Sequence, residues 1–276
     1  MNLLLIGSAP STIHFFKNSD QDQFKNKIGD FKTLAFQAAF PSLTQMFEFD
    51  PDYWSWGDPD SAINGLQLIN SYIKKGEISK VPKCIIPSFL ENVDEFSYAC
   101  STSQIQRPQN LNRKNIYESS VAQLILNNQL ELIPNSFTMK SLILSGMPFP
   151  PPEDRFNDSR TLFHSVPFEG IAPGHKNTFE SKLTSYALPI AHYLKAKNVY
   201  VLGFDHQGKG LNKSRLTLYE KEFPMGKRIK AGERVFNIIK LWCNDWVEYH
   251  GMNIYSIVPS ALTRNNDYMK FIDIYG

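Results

Sequence analysis

The sequence predicts an α/β fold: a Rossmann-like, mostly parallel sheet with flanking helices and an irregular lid or insertion. Three observations predict it. Short apolar runs without alternation recur at Asn2–Ile6, at "KCIIP" (83–87) and at "NVYVLGFD" (198–205), as expected of strands buried on both faces. Stretches with helical spacing separate them. Four strand ends carry small or polar residues, Gly7–Ser11, Gly57–Asp60, Gly203–Asp205 and Pro259-Ser260, and ligands of open parallel sheets bind at such carboxyl ends.

Element by element, Asn2–Ile6 is the opening strand, and Ser11 is placed to cap a short helix from about Thr12. Lys32–Phe36 is a second strand, Pro41–Phe47 a short helix, and "DYWSW" (52–56) an aromatic third strand. Pro59 suits the first turn of a helix whose apolar face carries Ile63, Leu66, Ile69 and Ile73. From about 88 to 175 the pattern loosens into an expected insertion or lid. Within it Tyr117–Asn128 has helical spacing, with Val121, Leu124 and Ile125 on one face. Ser141–Leu144 could form a strand, and the proline-dense "MPFPPPEDRF" (147–156) cannot be a regular element. A helix over Phe179–Ala196 buries Ala187, Ile190, Ala191 and Leu194, with Pro189 marking a kink or a late start. After the strand at 198–205 comes a polar, mobile loop at about 206–230. An amphipathic helix over Ala231–Tyr249 and a last strand, "MNIYSI" (252–257), complete one nucleotide-binding domain spanning 1–276.

Composition narrows the function. The formal net charge is +2, which offers no broad electrostatic attraction to nucleic acid or a membrane surface. The three cysteines, Cys84, Cys100 and Cys243, lie far apart without a CxxC, so neither a disulfide framework nor a zinc site is expected. No basic n-region precedes the short opening apolar run, and no stretch approaches the roughly 20 apolar residues of a bilayer span. The expectation is a soluble, cytoplasmic protein.

The opening turn, Gly7-Ser8-Ala9-Pro10-Ser11, has the small residues that let backbone N–H groups approach an anion ahead of a helix. It is neither GxxxxGK[ST] nor GxGxxG. Asp58 and Asp60 flank Pro59; Asp58 is either a helix cap or a carboxylate for a ribose hydroxyl or a metal. Asp205 stands at the end of the clearest strand, as a site carboxylate or a turn former. His206 beside it, or His175 in "APGHKN", has the neutral-range titration of a general base. His14, His164, His192 and His250 have no supporting context, and His192 is expected to be packed. Lys209, Lys213, Arg215, Lys227, Arg228 and Lys230 crowd a loop that could close over phosphates or stay solvated.

In pattern and order these segments resemble the bacterial lipooligosaccharide sialyltransferases that use CMP-sialic acid. "GSAPS" is similar to their GNGPS donor-phosphate turn, and "FQAAF" (36–40) falls where they have an Asn-Gln-Phe segment beside the donor. "SWGDPDSA" (55–62) falls at their Tyr-Asn-Pro-Ser segment. "KLTSYALPIAHYLKAKNVYVLGFD" (182–205) resembles their Arg-x-Thr-Ser-Gly helix and the strand ending Gly-Ile-Asp, and "IYSIVPSAL" (254–262) their last strand and turn. The likeness covers about half the chain. It implies inverting transfer from CMP-sialic acid to a glycan, with no metal or other cofactor. Gly7, Ser8, Pro10, Gln37, Asp58, Thr184, Ser185 and Asp205 would surround the nucleotide. His206 and Gln207 stand where that family has phosphate-binding tyrosines, Tyr186 stands where it has a glycine, and the 207–230 loop lacks its histidine. The basic loop, Lys209, Lys213 and Arg215 included, would hold the leaving phosphate.

A second resemblance is to the hydroxymethylpterin diphosphokinase-like Rossmann proteins, through the Gly-Pro-Ser-type turn, "GDPDS" and the helix before Gly-x-Asp. It implies pyrophosphoryl transfer from ATP with magnesium held by Asp58 and Asp205. A third possibility is a nucleotide- or glycan-binding protein without catalysis.

Overall fold

The computed structural model describes residues 1–57, 59–91, 108–133, 183, 187–204, 243, 246–248, 250–259, 263 and 267–275. The chain divides into two compact units, Met1–Thr33 with Ser136–Gly276, and Leu34–Asn135. Every described strand pairing is parallel.

In the first unit the strand order is β1-β6-β7-β8: β1 (Asn2–Ile6), β6 (Asn198–Leu202), β7 (Asn253–Ser256) and β8 (Met269–Phe271). The apolar run of β1 is buried throughout, Leu3 to Ile6 being at most 1% exposed, which is why it shows no alternation. Register places Asn2, Asn198 and Asn253 side by side, and their amides link in a row: Asn198 Nδ2 donates to Asn2 Oδ1 at 2.9 Å, and Asn253 Nδ2 to Asn198 Oδ1 at 2.8 Å. Two residues on, Tyr200 and Tyr255 stack at 5.2 Å. Polar and aromatic cross-strand pairs of this kind oppose a register slip.

At the other end of β1 the chain passes within touching distance of the exit from β6. Gly7 N–H donates to Leu202 O at 2.8 Å, and Ala9 N–H to Gly203 O at 3.1 Å. The buried Thr12 hydroxyl donates to Gly7 O at 2.8 Å. A Cβ on Gly7 would lie 2.2 Å from Gly203 O, and one on Gly203 would lie 2.0 Å from Thr12 Oγ1, so neither position has room for a side chain. Gly203 also has φ +78°, a left-handed conformation that glycine adopts without penalty.

Helix α1 (Pro10–Asn18) follows directly, with Ala9 as N-cap and Pro10 in its first turn. Ser11 is therefore inside the helix, not its cap, because the fixed φ of proline starts the helix earlier than the serine signal suggested. Helix α2 (Gln21–Lys27), which lacks apolar periodicity, is started by the Asp20 carboxylate accepting from Asp22 N–H and Gln23 N–H. Phe15, Phe16 and Phe24 meet edge to face beneath both helices.

The second unit orders its strands β5-β4-β3-β2. Strand β2 (Phe31–Phe36) contributes Leu34–Phe36 to the pairing with β3 (Tyr53–Ser55), followed by β4 (Lys83–Pro87) and β5 (Leu130–Ile133). Helix α3 is Ala39–Phe47, and α4 (Pro59–Lys74) buries Ile63, Leu66 and Ile69. Gly65 lets α4 close on the Trp54 indole, since a Cβ there would meet Trp54 Cη2 at 2.4 Å. Helix α5 (Pro108–Leu126) docks on α4, with Asn70 Nδ2 donating to Ser120 Oγ at 2.9 Å. The stretch at about 88–175, expected to be an irregular insertion, thus holds regular structure over 108–133. Val121 and Leu124 are buried as anticipated, but Ile125 is 43% exposed, because it follows Leu124 by 100° around the helix and turns out of the core. The strand proposed at 141–144, the proline-dense 147–156 segment and the 206–230 loop lie outside the described residues.

Helix α6 (Leu188–Tyr193) has Pro189 in its first turn, follows π-helical geometry at Leu183 and Ala187, and buries Ala191 and Ile190. It leads into the amino end of β6, as the helical residues 246–248 and 250 lead into β7. There the ring of His192 lies 4.5 Å from that of His250 and 5.6 Å from Trp246, and Trp246 lies 4.4 Å from His250. Burial pushes the His192 pKa below its usual value.

Two outcomes are expected. Gly203→Ala or Gly7→Ala should cost about 3 kcal/mol or more in denaturant unfolding, combining a clash with, at Gly203, a strained φ. Gly251→Ala has a positive φ but open space, and should cost only about 1 kcal/mol. For His192, the neutral form is the one favoured in the fold. Its contribution to stability is complete above about pH 6.5, the unfolded value, and is lost as pH falls from there toward the folded pKa. Unfolding free energies at pH 7.5 and 5.5 should therefore differ more in the wild type than in His192→Phe.

Candidate functional site

Within each unit the parallel strands gather their carboxyl ends on one edge, and expected site residues lie at those ends. In the first unit these are Gly7, Ser8, Ala9, Pro10 and Ser11, between β1 and α1. The structure changes what this turn offers an anion. Gly7 and Ala9 spend their N–H groups on Leu202 and Gly203, and Pro10 has none. The turn is consequently a backbone clasp onto β6 rather than an open cradle of amides. Half-buried Ser8 and Ser11 stand at the start of α1, at the positive end of the helix dipole.

In the second unit Gln37 closes β2. It has φ +49°, an unusual conformation for a residue with a side chain, which costs of order 1–3 kcal/mol. Two hydrogen bonds hold it there. Its N–H donates to Ser55 O at 2.8 Å, at the end of β3, and its carbonyl accepts from Trp54 Nε1 at 2.9 Å. With the main chain fixed at both groups, the half-buried side chain is aimed by the sheet. Its Nε2 is buried and has no hydrogen-bond partner among the described residues. An unmet buried amide costs about 1–3 kcal/mol, which an incoming oxygen acceptor would recover.

Beside Gln37 the rim continues through the tryptophans of the aromatic third strand and their neighbours. Trp54 and Trp56 are fully buried with rings 4.5 Å apart, and Phe40 packs on Trp54 at 5.1 Å. Trp56 Nε1 donates to the Tyr117 hydroxyl at 2.8 Å, and that hydroxyl donates in turn to Leu90 O. The signal in the sequence was the Trp-Ser-Trp spacing, which puts two indoles on one face of a strand, each needing an acceptor when buried. The acceptor on α5, 61 residues away from Trp56, has no local signature.

Asp58, Thr184, Ser185, Asp205, His206, His175, Lys209, Lys213 and Arg215 lie outside the described residues. Among the described residues no three His, Cys, Asp or Glu side chains come together as a metal site would require. Cys84 is fully buried, and burial pushes its thiol well above the usual range, so it is not a nucleophile. His192 and His250 pack at the amino ends of β6 and β7, the edge away from ligand-binding loops. No described helix is long and apolar enough to cross a membrane.

No family model matches the chain, and no curated protein matches it. Solved structures similar to it include the sialyltransferase CstII from Campylobacter jejuni in complex with CMP-3FNeuAc, at 12% identity over 96% of this chain and 84% of that one. The monofunctional α-2,3-sialyltransferase Cst-I from Campylobacter jejuni is 13% identical over 100% of this chain and 82% of that one. A single-residue mutant of the α-2,3/8-sialyltransferase CstII is 12% identical over 96% and 85%. The TM-score is 0.45 in each case, a distant structural relationship.

Proposed function

We propose that this protein is a glycosyltransferase of sialyltransferase type. It would take a CMP-activated acidic sugar as donor and a glycan, such as a lipooligosaccharide, as acceptor. The observation that carries the reading is Gln37: a strained residue at a strand's carboxyl end, locked through both main-chain groups, with a buried side-chain amide that has no partner among the described residues. Strain of this kind persists where the surroundings enforce it, and it clusters at ligand sites. The residue also falls where the sequence resemblance implies a donor-contacting segment. An amide donor at that point suits a neutral oxygen, such as a base carbonyl or a ribose hydroxyl, better than a phosphate.

In this reading Asp58, Thr184, Ser185, Asp205 and the Gly7–Ser11 turn keep the nucleotide-binding role that the sequence resemblance implies for them. Lys209, Lys213 and Arg215 neutralise the leaving CMP phosphate, and His206 or His175 takes the acceptor hydroxyl's proton as it attacks the anomeric carbon. A glycosyl transfer of this type needs no metal, because basic side chains can carry the leaving-group charge.

A thermal-shift screen with CMP, CMP-sialic acid, UDP-sugars and ATP with and without magnesium tests it. CMP at about 100 times its Kd should add about 2.7 kcal/mol of stability, and chelator should not remove the effect. A magnesium-dependent ATP shift would replace the proposal with a diphosphokinase, and no shift with any nucleotide would overturn it. Gln37→Gly should relieve the left-handed strain, so its own Tm should hold or rise while the CMP shift shrinks.

A further inference from the structure

We propose that Tyr117 is a positioning residue for the nucleotide site, setting Gln37 from a distance through the two buried indoles. The inference rests on the reading of Gln37 given above and deepens it. Tyr117 is fully buried on α5 and bridges two strand ends. Its hydroxyl accepts from Trp56 Nε1, one residue past β3, and donates to the carbonyl of Leu90, the last residue of the 3₁₀ turn Ser88–Leu90 after β4. The hydroxyl thus has its donor and its acceptor role both filled. The Trp56 ring is held at 4.5 Å from Trp54, whose own Nε1 donates to Gln37 O. Gln37 N–H closes the set on Ser55 O, between the two tryptophans.

The carboxyl ends of β2, β3 and β4 are thereby tied by one connected series of contacts, with Tyr117 at its far end. Nothing in an ordinary hydrophobic core requires this. A phenylalanine would fill the same space, but would leave Trp56 N–H and Leu90 C=O unmet in a buried place. Relaxation of those groups would let the Trp56 ring rotate. The ring beside it is the one that pins a strained backbone, so Gln37 would leave φ +49° for an unstrained value and carry its amide away.

The test compares Tyr117→Phe with Val121→Ala, a buried substitution on the same helix that removes no hydrogen bond. Trp56→Phe breaks the same bond from the other side and serves if Tyr117→Phe fails to fold. CMP affinity is read by calorimetry, and amide exchange is read at Gln37. Tyr117→Phe should weaken CMP binding about tenfold, within the usual range of coupling between sites, while Val121→Ala lowers Tm and leaves affinity unchanged. Equal affinities in the two variants would overturn the proposal. If the wild type binds no CMP, the functional reading fails by itself, and exchange decides the positioning role. Faster exchange at Gln37 in Tyr117→Phe than in Val121→Ala supports it, and equal exchange overturns it.

Discussion

The first unit depends on a contact between two main chains. Gly7 and Gly203 approach so closely that no side chain fits at either, and two backbone hydrogen bonds and the Thr12 hydroxyl occupy the polar groups at the crossing. This contact fixes where β1 ends relative to β6, and hence where α1 begins. It also redefines the role of the glycine-containing turn. Small residues there serve the approach of one strand exit to another.

In the second unit the corresponding constraint is made by side chains. Tryptophan donors reach the half-buried Gln37 carbonyl and the buried Tyr117 hydroxyl, and both indoles are fully buried. A bond in such surroundings is strong when made and costly when broken. The outcome is a rim whose one unusual torsion is enforced rather than tolerated. The hydrogen bonds from Trp54 Nε1 and to Ser55 O are what hold Gln37 in its left-handed conformation.

The sequence told much of this story at the level of strands and little at the level of the rim. Unbroken apolar runs located β1, β4 and β6, because burial on both faces leaves a pattern that needs no context. Strands β5 and β8 escaped notice: β5 interleaves Glu131 with leucines, and β8 is three residues long. Gln37 was singled out by its neighbours in sequence, but its left-handed backbone was not legible, since glutamine carries no signature of a positive φ. The Gly7-to-Ser11 turn was recognised, and the loss of two of its amides to β6 was not. That loss depends on Leu202 and Gly203, which are almost two hundred residues away. The Tyr117 bridge was hidden for the same reason. Local periodicity records which face is apolar, and it does not record which distant carbonyl a hydroxyl will find.

The asparagine row across β1, β6 and β7 has a consequence for how the protein is made. Asn2 and Asn198 are 196 positions apart, so the hydrogen bond between them cannot form until the ribosome has added nearly two hundred residues. At ordinary synthesis rates of roughly 5–20 residues per second, β1 waits about 10–40 s for its partner strand. All that time Leu3, Leu4, Leu5 and Ile6 have no β6 against which to hide, while Leu34–Asn135 is continuous in the chain and can fold as it appears. Among the described strand pairings this one spans the most sequence, so the β6-facing edge of β1 stays open to other strands for most of synthesis.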